Sequence, residues 1–141
     1  ERTVAIARSS SENHLLDVAL KSVGLTDDAV YRPQINDIKL RADMLNGNQV
    51  DAAVLTWPYT SLAYANDHSS IYSQRNADAN GCFVMKTKSL KRVDRRAQWK
   101  LFEKGRKMAL DSIRTKGVSA YSLILQKDYH LPKEVADTLR F

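Results

Sequence analysis

The chain has little cysteine, proline or glycine, with one, three and five of these residues among 141. The single cysteine, Cys82, forms no intrachain disulfide and no multi-cysteine metal site, which excludes a disulfide-stapled scaffold. The low proline and glycine contents exclude collagen and low-complexity disorder. No segment approaches the roughly 20 apolar residues of a membrane span. The composition therefore indicates one globular domain with a core of its own.

Short motifs that mark catalytic or nucleotide sites are also missing. The sequence has no GxSxG elbow, no GxxxxGK(S/T) phosphate loop and no GxGxxG fingerprint. Its three histidines lack the paired spacing of a metal site. We therefore predict no catalytic residue, no metal and no cofactor. The first residues also lack the pattern of a signal peptide, which leaves either a cytosolic protein or one whose leader has been removed.

Positive charge is in excess, because 22 Lys and Arg face 16 Asp and Glu, a formal net charge of +6 at pH 7. This balance favours anionic partners without identifying one. The basic residues are densest between Lys86 and Arg106, where no aromatic ladder or nucleic-acid module accompanies them. We predict a solvated helix face there and no nucleic-acid partner, and a nucleic-acid or membrane surface is the alternative.

The first part of the chain predicts strands that alternate with helices. Residues 3–7 are typical of a short buried strand, and the helix that follows ends at Gly24. Ser9 with Glu12 three residues later matches the capping box of that helix. Alternation of this kind indicates an α/β fold with parallel strands and right-handed crossovers.

Two further strands are predicted before residue 58. Residues 30–35 form a strand that Pro33 places towards an edge, and a helix over 38–46 follows it. Residues 50–57 are the clearest strand, a near-continuous apolar run typical of a sheet covered on both faces. Pro58 then suits the first turn of a short helix.

The later part of the chain is predicted to be helical, after two short strands at 71–73 and 82–85. A long helix ends at Gly117, and shorter helices cover 119–129 and the residues after Pro132. The long helix carries an apolar stripe that consists of Trp99, Phe102, Ala109, Leu110 and Ile113.

These elements predict a single domain over residues 1–141. Its α/β part covers about 1–86 and its helical part about 92–141. The predicted fold is an open, mostly parallel sheet with helices on both faces and a helical C-terminal part.

Residues just after the strands are the candidate site, because open α/β sheets bind ligands beyond the carboxyl ends of their strands. Arg8, Ser9, Ser10 and Ser11 follow the first strand and combine a guanidinium, three hydroxyls and the free N–H groups of a helix N-terminus. They predict an anion site for sulfonate, phosphate, nitrate or carboxylate. The alternative is that Ser9 only caps the helix.

Aromatic and imidazole side chains complete the candidate site. Thr56, Trp57 and Tyr59 lie at the end of the clearest strand and just after it, where an indole and a phenol stack on or wall off a small ligand. The alternative is that Trp57 plugs the sheet edge and Tyr59 covers a helix. His14 lies one turn into the helix after the serines and faces either the same cleft or solvent.

Several motifs occur in a recognisable order, namely the serine-rich turn, Gly24-Leu25, Val50-Asp51-Ala52-Ala53, Trp57-Pro58-Tyr59, Phe83-Val84-Met85 and Leu131-Pro132. In this order they resemble ABC-transporter substrate-binding proteins, in the branch for aliphatic sulfonates, nitrate and thiamine precursors. The resemblance implies the second lobe of a two-lobed type II periplasmic binding clamshell, and hence a fragment of a longer protein. Two residues, Asn48 and Gln49, separate Gly47 from Val50 where the family usually has one.

The resemblance implies a non-catalytic lobe that binds a small anionic or heteroaromatic solute. Its partners would be that solute, a first lobe and an ABC permease, in a periplasmic or other extracytoplasmic location with or without a lipid anchor. The segments matching Ser9–Ser11 and Trp57–Tyr59 face the ligand in the family, and Asp51 is predicted to be architectural. Two alternatives stay open, namely an enzyme on the same fold, of the menaquinone or cofactor-precursor type, and the effector-sensing domain of a regulator.

Overall fold

A computed structural model describes residues 2–8, 10–73 and 83–140. The strands are β1 (Arg2–Ala5), β2 (Val30–Tyr31) and β3 (Ala52–Ala53). The helices are α1 (Ser11–Ser22), α2 (Ile38–Asn46), α3 (Tyr59–Ala65), α4 (Thr87–Leu90), α5 (Val93–Lys116), α6 (Ser122–Tyr129) and α7 (Lys133–Thr138), and short 3-10 helices cover Asp27–Ala29 and Val118–Tyr121. The fold thus mixes helices with a sheet, as predicted.

The three strands form a parallel sheet in the order β2-β1-β3. The edge position predicted for 30–35 is confirmed, but each strand is shorter than predicted, and 50–57 contributes only Ala52–Ala53. Central β1 sets this limit, because a strand extends only as far as its hydrogen-bonded neighbour. After an isolated bridge between Ile6 and Gln34, the chain leaves the sheet for α1, and residues 55–57 have no strand beside them.

The predictions of strands at 71–73 and 82–85 are wrong where the structure describes these residues. Residues 71–73 form no strand, and neither do residues 83–85. Cys82, where the second of these strands was predicted to begin, lies outside the described residues. Both segments are short apolar runs, which do not form strands without a neighbour to supply hydrogen bonds.

Helix α1 begins one residue later than the predicted capping box. Its N-cap is Ser10, whose hydroxyl oxygen accepts the N–H of Glu12 at 3.2 Å. The Glu12 carboxylate accepts the N–H of Ala7 at 3.2 Å, which secures the entry of the chain into the helix. The predicted cap, Ser9, lies outside the described residues.

The end of α1 at Gly24 is confirmed. Gly24 adopts a φ of 75°, in the left-handed region that glycine tolerates best. The N–H of Leu25 donates to the carbonyl of Leu20 at 2.9 Å, and that of Gly24 donates to Lys21 at 3.1 Å. These two bonds form a Schellman motif.

Helix α2 has the predicted bounds, 38–46. Its left-handed residue is Asn48, with a φ of 53°, and Gly47 keeps a negative φ of −84°. The N–H of Gln49 donates to Met44 at 2.8 Å and that of Asn48 donates to Leu45 at 3.1 Å. The additional residue before Val50 is therefore used to complete a second Schellman motif.

Two clusters of buried side chains form the core. One lies between the sheet and α1 and consists of Val4, Ile6, Leu16 and Leu20. The other joins α2 and α3 to the C-terminal helices and consists of Ala42, Tyr59, Leu62, Val118, Leu125, Leu131, Val135, Ala136 and Leu139. The C-terminal helices thus pack back onto the sheet-bearing part of the chain.

Helix α5 does not bury the stripe predicted for it. None of its residues is buried, and of the stripe Ile113 packs against the second core cluster. Gly117 ends the helix with a φ of 81°, as predicted. Among the described residues, no helix has both the length and the apolar character needed to cross a membrane.

Candidate functional site

The segments after β1 and β3 lie at the same edge of the sheet. Residue Val4 pairs with Ala52 and Ala5 with Ala53 in parallel register, and the N–H of Val54 donates to the carbonyl of Ala5 at 3.0 Å. Because the two strands run side by side in one direction, the chain leaves both at their common carboxyl edge. The described residues of the serine-rich turn, Arg8, Ser10 and Ser11 (the serine bend), therefore lie at the same edge as Thr56 and Trp57.

Within the serine bend, Ser10 acts as a structural residue. Its hydroxyl donates to the carbonyl of Ala7 at 2.6 Å and accepts the N–H of Glu12 at 3.2 Å. Both hydrogen bonds stay inside the turn, so Ser10 caps α1, the role that the alternative interpretation gave to Ser9. Ser9 was predicted to bind an anion, with capping of the helix as the alternative, and it lies outside the described residues.

Of the described serines in the turn, Ser11 is available to a ligand. It is exposed as the first residue of α1, and no acceptor for its N–H is found in the part of the chain that the structure describes. The first N–H groups of a helix lack intrahelical partners and carry the positive end of the helix dipole. Ser11 thus offers a hydroxyl and an amide donor to an anion.

Arg8 extends this donor set. Its side chain is exposed, and its Nε donates to the backbone carbonyl of Arg32, just after β2, at 3.0 Å. The Arg32 guanidinium in turn donates from Nη1 to Asp17 at 2.6 Å and to Asn13 at 3.2 Å. The bond from Nε holds the Arg8 guanidinium beside the segment after β2, and no partner for its two terminal nitrogens is found among the described residues.

A buried ion pair behind the serine bend was not predicted. Arg41 on α2 is 1% exposed and binds Glu12 through two hydrogen bonds, one from Nη2 to Oε1 at 3.0 Å and one from Nη1 to Oε2. The pair fixes the start of α1 against α2. A sequence signal for it exists, because Arg41 falls between Ile38 and Ala42 on the apolar face of α2.

Trp57 and Tyr59, predicted together, face different environments. Trp57 is 38% exposed at the sheet edge and precedes a cis peptide bond to Pro58. Tyr59 lies in the second core cluster, its hydroxyl donates to the carbonyl of Tyr129 at 3.2 Å, and burial raises the pKa of its phenol. Tyr59 is therefore a core residue that packs between helices, and it is not part of the candidate surface.

Thr56 and His14 are both exposed. The carbonyl of Thr56 accepts the N–H of Tyr59 at 2.9 Å and so begins α3, which leaves its hydroxyl at the surface. His14 and Ser11 share no hydrogen bond among the described contacts. The ranges 2–8, 10–73 and 83–140 contain no group of three His, Cys, Asp or Glu side chains arranged to hold a metal ion.

A polar cleft lies at the opposite edge of the sheet, where the chain enters β3. It measures about 320 Å³ and is lined by Leu45, Asn48, Gln49, Val50, Asp51 and His68. Its carboxylate, Asp51, accepts the N–H of Thr3 at 2.8 Å and Nη1 of Arg2 at 2.7 Å, and these two groups lower its pKa, the Thr3 N–H most. Asp51 thus ties β3 to β1, as its predicted architectural role requires.

No protein-family model, curated protein or solved structure matches this chain. The motifs noted in the sequence and the chemistry of the sheet edge remain the basis for a function. That edge combines the Arg8 guanidinium, the Ser11 and Thr56 hydroxyls and a helix N-terminus with the indole of Trp57. Such a set binds a small anion or a flat polar ring.

Proposed function

We propose that this chain is a non-catalytic solute-binding lobe of a substrate-binding protein that serves an ABC transporter. The observation that carries the proposal is the parallel order β2-β1-β3, since it brings the serine bend and Trp57 to one sheet edge. Donors at a helix N-terminus attract an anion, and the indole offers a rigid apolar face. The favoured solutes are therefore small anions or heteroaromatic rings, such as a sulfonate, nitrate or a thiamine precursor.

The mechanism is capture by two lobes without covalent chemistry. The solute binds the edge of one lobe, a first lobe closes over it, and the closed form is recognised by a membrane permease outside the cytoplasm. Closure is favoured because some contacts exist only in the closed state. One lobe supplies only part of those contacts, so we expect this chain by itself to bind more weakly than micromolar.

Isothermal titration calorimetry of the chain with methanesulfonate and with nitrate tests the proposal. We expect Arg8→Gln to weaken binding about tenfold, since it removes a charge-assisted hydrogen bond, and Ser11→Ala to weaken it less. Two matched controls lie away from the edge, Arg140→Gln near the C-terminus and Ser22→Ala at the other end of α1, and both should bind like wild type. Equal losses in the controls would refute the site, and submicromolar affinity of the wild-type chain would refute the one-lobe mechanism.

Titrations with nitrate and with 4-aminopyrimidine distinguish the two solute classes. Trp57→Leu removes the aromatic face and keeps an apolar side chain, so it should leave nitrate affinity unchanged. Affinity for 4-aminopyrimidine should fall by roughly fivefold or more, as expected for the loss of ring stacking. Loss of nitrate affinity in Trp57→Leu would contradict the expectation that the hydrogen-bond donors bind the anion and the indole binds the ring.

A further inference from the structure

Helix α5 leaves most of its surface uncovered. It has 24 residues and none of them is buried, and it packs mainly against α4 and the 3-10 helix Val118–Tyr121. A helix of this length extends about 36 Å. Most of that length is therefore free to meet another surface.

Charge is concentrated on this part of the chain. Residues 86–116 hold twelve Lys and Arg against three Asp and Glu, a net charge of +9. The other residues hold ten basic and thirteen acidic side chains, a net charge of −3. The formal +6 of the whole chain is thus the sum of a strongly basic helical segment, residues 86–116, which we call the arm, and a slightly acidic remainder, which we call the body. The charge of the arm attracts it to anionic surfaces.

Apolar side chains lie beside these charges on one helix face. Val93, Leu101 and Met108 are 75%, 71% and 63% exposed, and their spacing places them within about 80° of one another around the helix axis. Lys100 and Lys104 flank them at adjacent turns. The depression of about 300 Å³ beside them is lined by Lys100, Glu103, Lys104, Lys107, Met108 and Asp111.

A separate aromatic group lies on another face of α5, because Phe102 and Trp99 are roughly 100° or more around the helix axis from Leu101 and Met108. The ring of Phe83 lies 5.9 Å from that of Trp99 and 5.3 Å from that of Phe102, measured between centroids. Phe83 and Phe102 are both exposed. The helix therefore presents large apolar side chains together with lysines, the composition of helices that lie in the plane of a bilayer interface.

We propose that α5 binds the surface of a membrane that contains anionic lipids. A second copy of the chain is disfavoured as occupant, because two faces of net charge +9 repel each other. A nucleic acid would satisfy the charge but would leave Leu101 and Met108 in water. A bilayer surface satisfies both features, since headgroups attract the lysines and the interface accepts the apolar side chains.

Sedimentation of the chain with lipid vesicles tests this proposal. The vesicles consist of phosphatidylcholine with about 30% phosphatidylserine, an anionic composition, and pure phosphatidylcholine is the comparison. We expect binding to the anionic vesicles and little to the neutral ones. Lys100→Glu/Lys104→Glu should weaken binding tenfold or more, whereas Lys21→Glu/Lys127→Glu, with the same change in net charge on the body, should bind like wild type. Equal losses in both double variants, or no sedimentation of the wild type, would overturn the proposal.

A second pair of variants separates a bilayer from other polyanions. Leu101→Ser/Met108→Ser keeps every charge, and we expect it to reduce vesicle binding about threefold or more because less apolar area enters the interface. The matched control is Leu40→Ser/Leu123→Ser, at exposed positions on α2 and α6. Unchanged vesicle binding by Leu101→Ser/Met108→Ser, or tighter binding of the wild type to a DNA duplex than to the vesicles, would contradict the bilayer as occupant.

Discussion

Ion pairs of arginine in the sheet-bearing part join residues far apart in the sequence, whereas those at α5 join residues of one segment. Arg41 binds Glu12 over 29 positions and Arg32 binds Asp17 over 15. At the start of α5, by contrast, the N-cap residue Arg92 pairs with Asp94 two residues away. Long-range pairs fix how elements meet, and local pairs on an exposed helix contribute little to stability. Charge therefore positions the candidate site in one region and stays available to a partner in the other.

The buried ion pair gives the largest expected effect. Glu12→Ala leaves the Arg41 guanidinium buried without its counter-charge, so we expect a loss of about 4 kcal/mol in the free energy of unfolding. Asp111→Ala on α5 removes the partner of exposed Arg114 and should leave the unfolding midpoint unchanged. Urea denaturation of both variants measures the difference, and similar midpoints would break the comparison between the two regions.

The two regions should also respond differently when a leucine is replaced by alanine, because only one of the two leucines is packed in a core. Leu62→Ala opens space in the second core cluster, where Leu62 is 4% exposed, and should cost about 3 kcal/mol of unfolding free energy. Leu101→Ala on exposed α5 should change it by less than about 0.5 kcal/mol. A loss at Leu101 close to that at Leu62 would show that α5 is packed in solution.

Glycine to alanine should have opposite signs in the two regions. Gly24 has a positive φ and no atom within 4 Å of an added Cβ, so Gly24→Ala should destabilise the fold by about 1 kcal/mol through backbone strain alone. Gly105 lies inside α5, also with nothing within 4 Å, and Gly105→Ala should stabilise by roughly 0.5 to 1 kcal/mol. Thermal unfolding followed by circular dichroism measures both, and a destabilised Gly105→Ala would contradict an exposed regular helix there.

The smallest expected effect is a difference in acid sensitivity. The pKa of Asp51 is lowered in the folded state from its ordinary 3.8, so its stabilising contribution is present above that value and is lost as the pH falls through the folded pKa. Asp51→Asn should therefore show a shallower loss of stability on acidification than wild type. The pKa of Asp94 is also lowered, chiefly by Arg92, but these neighbours stay close in the unfolded chain, so Asp94→Asn should follow the wild-type profile. Urea midpoints measured over a series of acidic pH values provide the comparison.

Features set by neighbouring residues were predictable from the sequence. The bounds of α2, the ends of α1 and α5 at Gly24 and Gly117 and the edge position of β2 all follow local periodicity, turn chemistry or proline content. The lengths of the strands were not predictable from the sequence, since they depend on how far β1 extends before the chain leaves the sheet for α1. Tertiary partners, which a single segment does not encode, decide them.

Burial of amphipathic positions was the other feature that the sequence left open. The stripe on α5 showed the correct period, but a period reveals an apolar face without naming its partner. Tyr59 illustrates the converse, because a residue that follows a strand, where ligands bind, turned inward to the core. Within the candidate site, the shared edge of the serine bend and Trp57 was predictable from parallel strand order, whereas the Glu12–Arg41 pair required three dimensions.

A residue-by-residue map of solute binding locates the site on the molecule. Amide chemical shifts of the labelled chain are followed by NMR during titration with methanesulfonate, which reports contacts even at weak affinity. We predict the largest shifts at Arg8, Ser11, Thr56 and Trp57, all at the carboxyl edge of the sheet. Shifts centred instead on Asn48 and His68 in the opposite cleft, or confined to the basic residues of α5, would contradict a solute site at that edge.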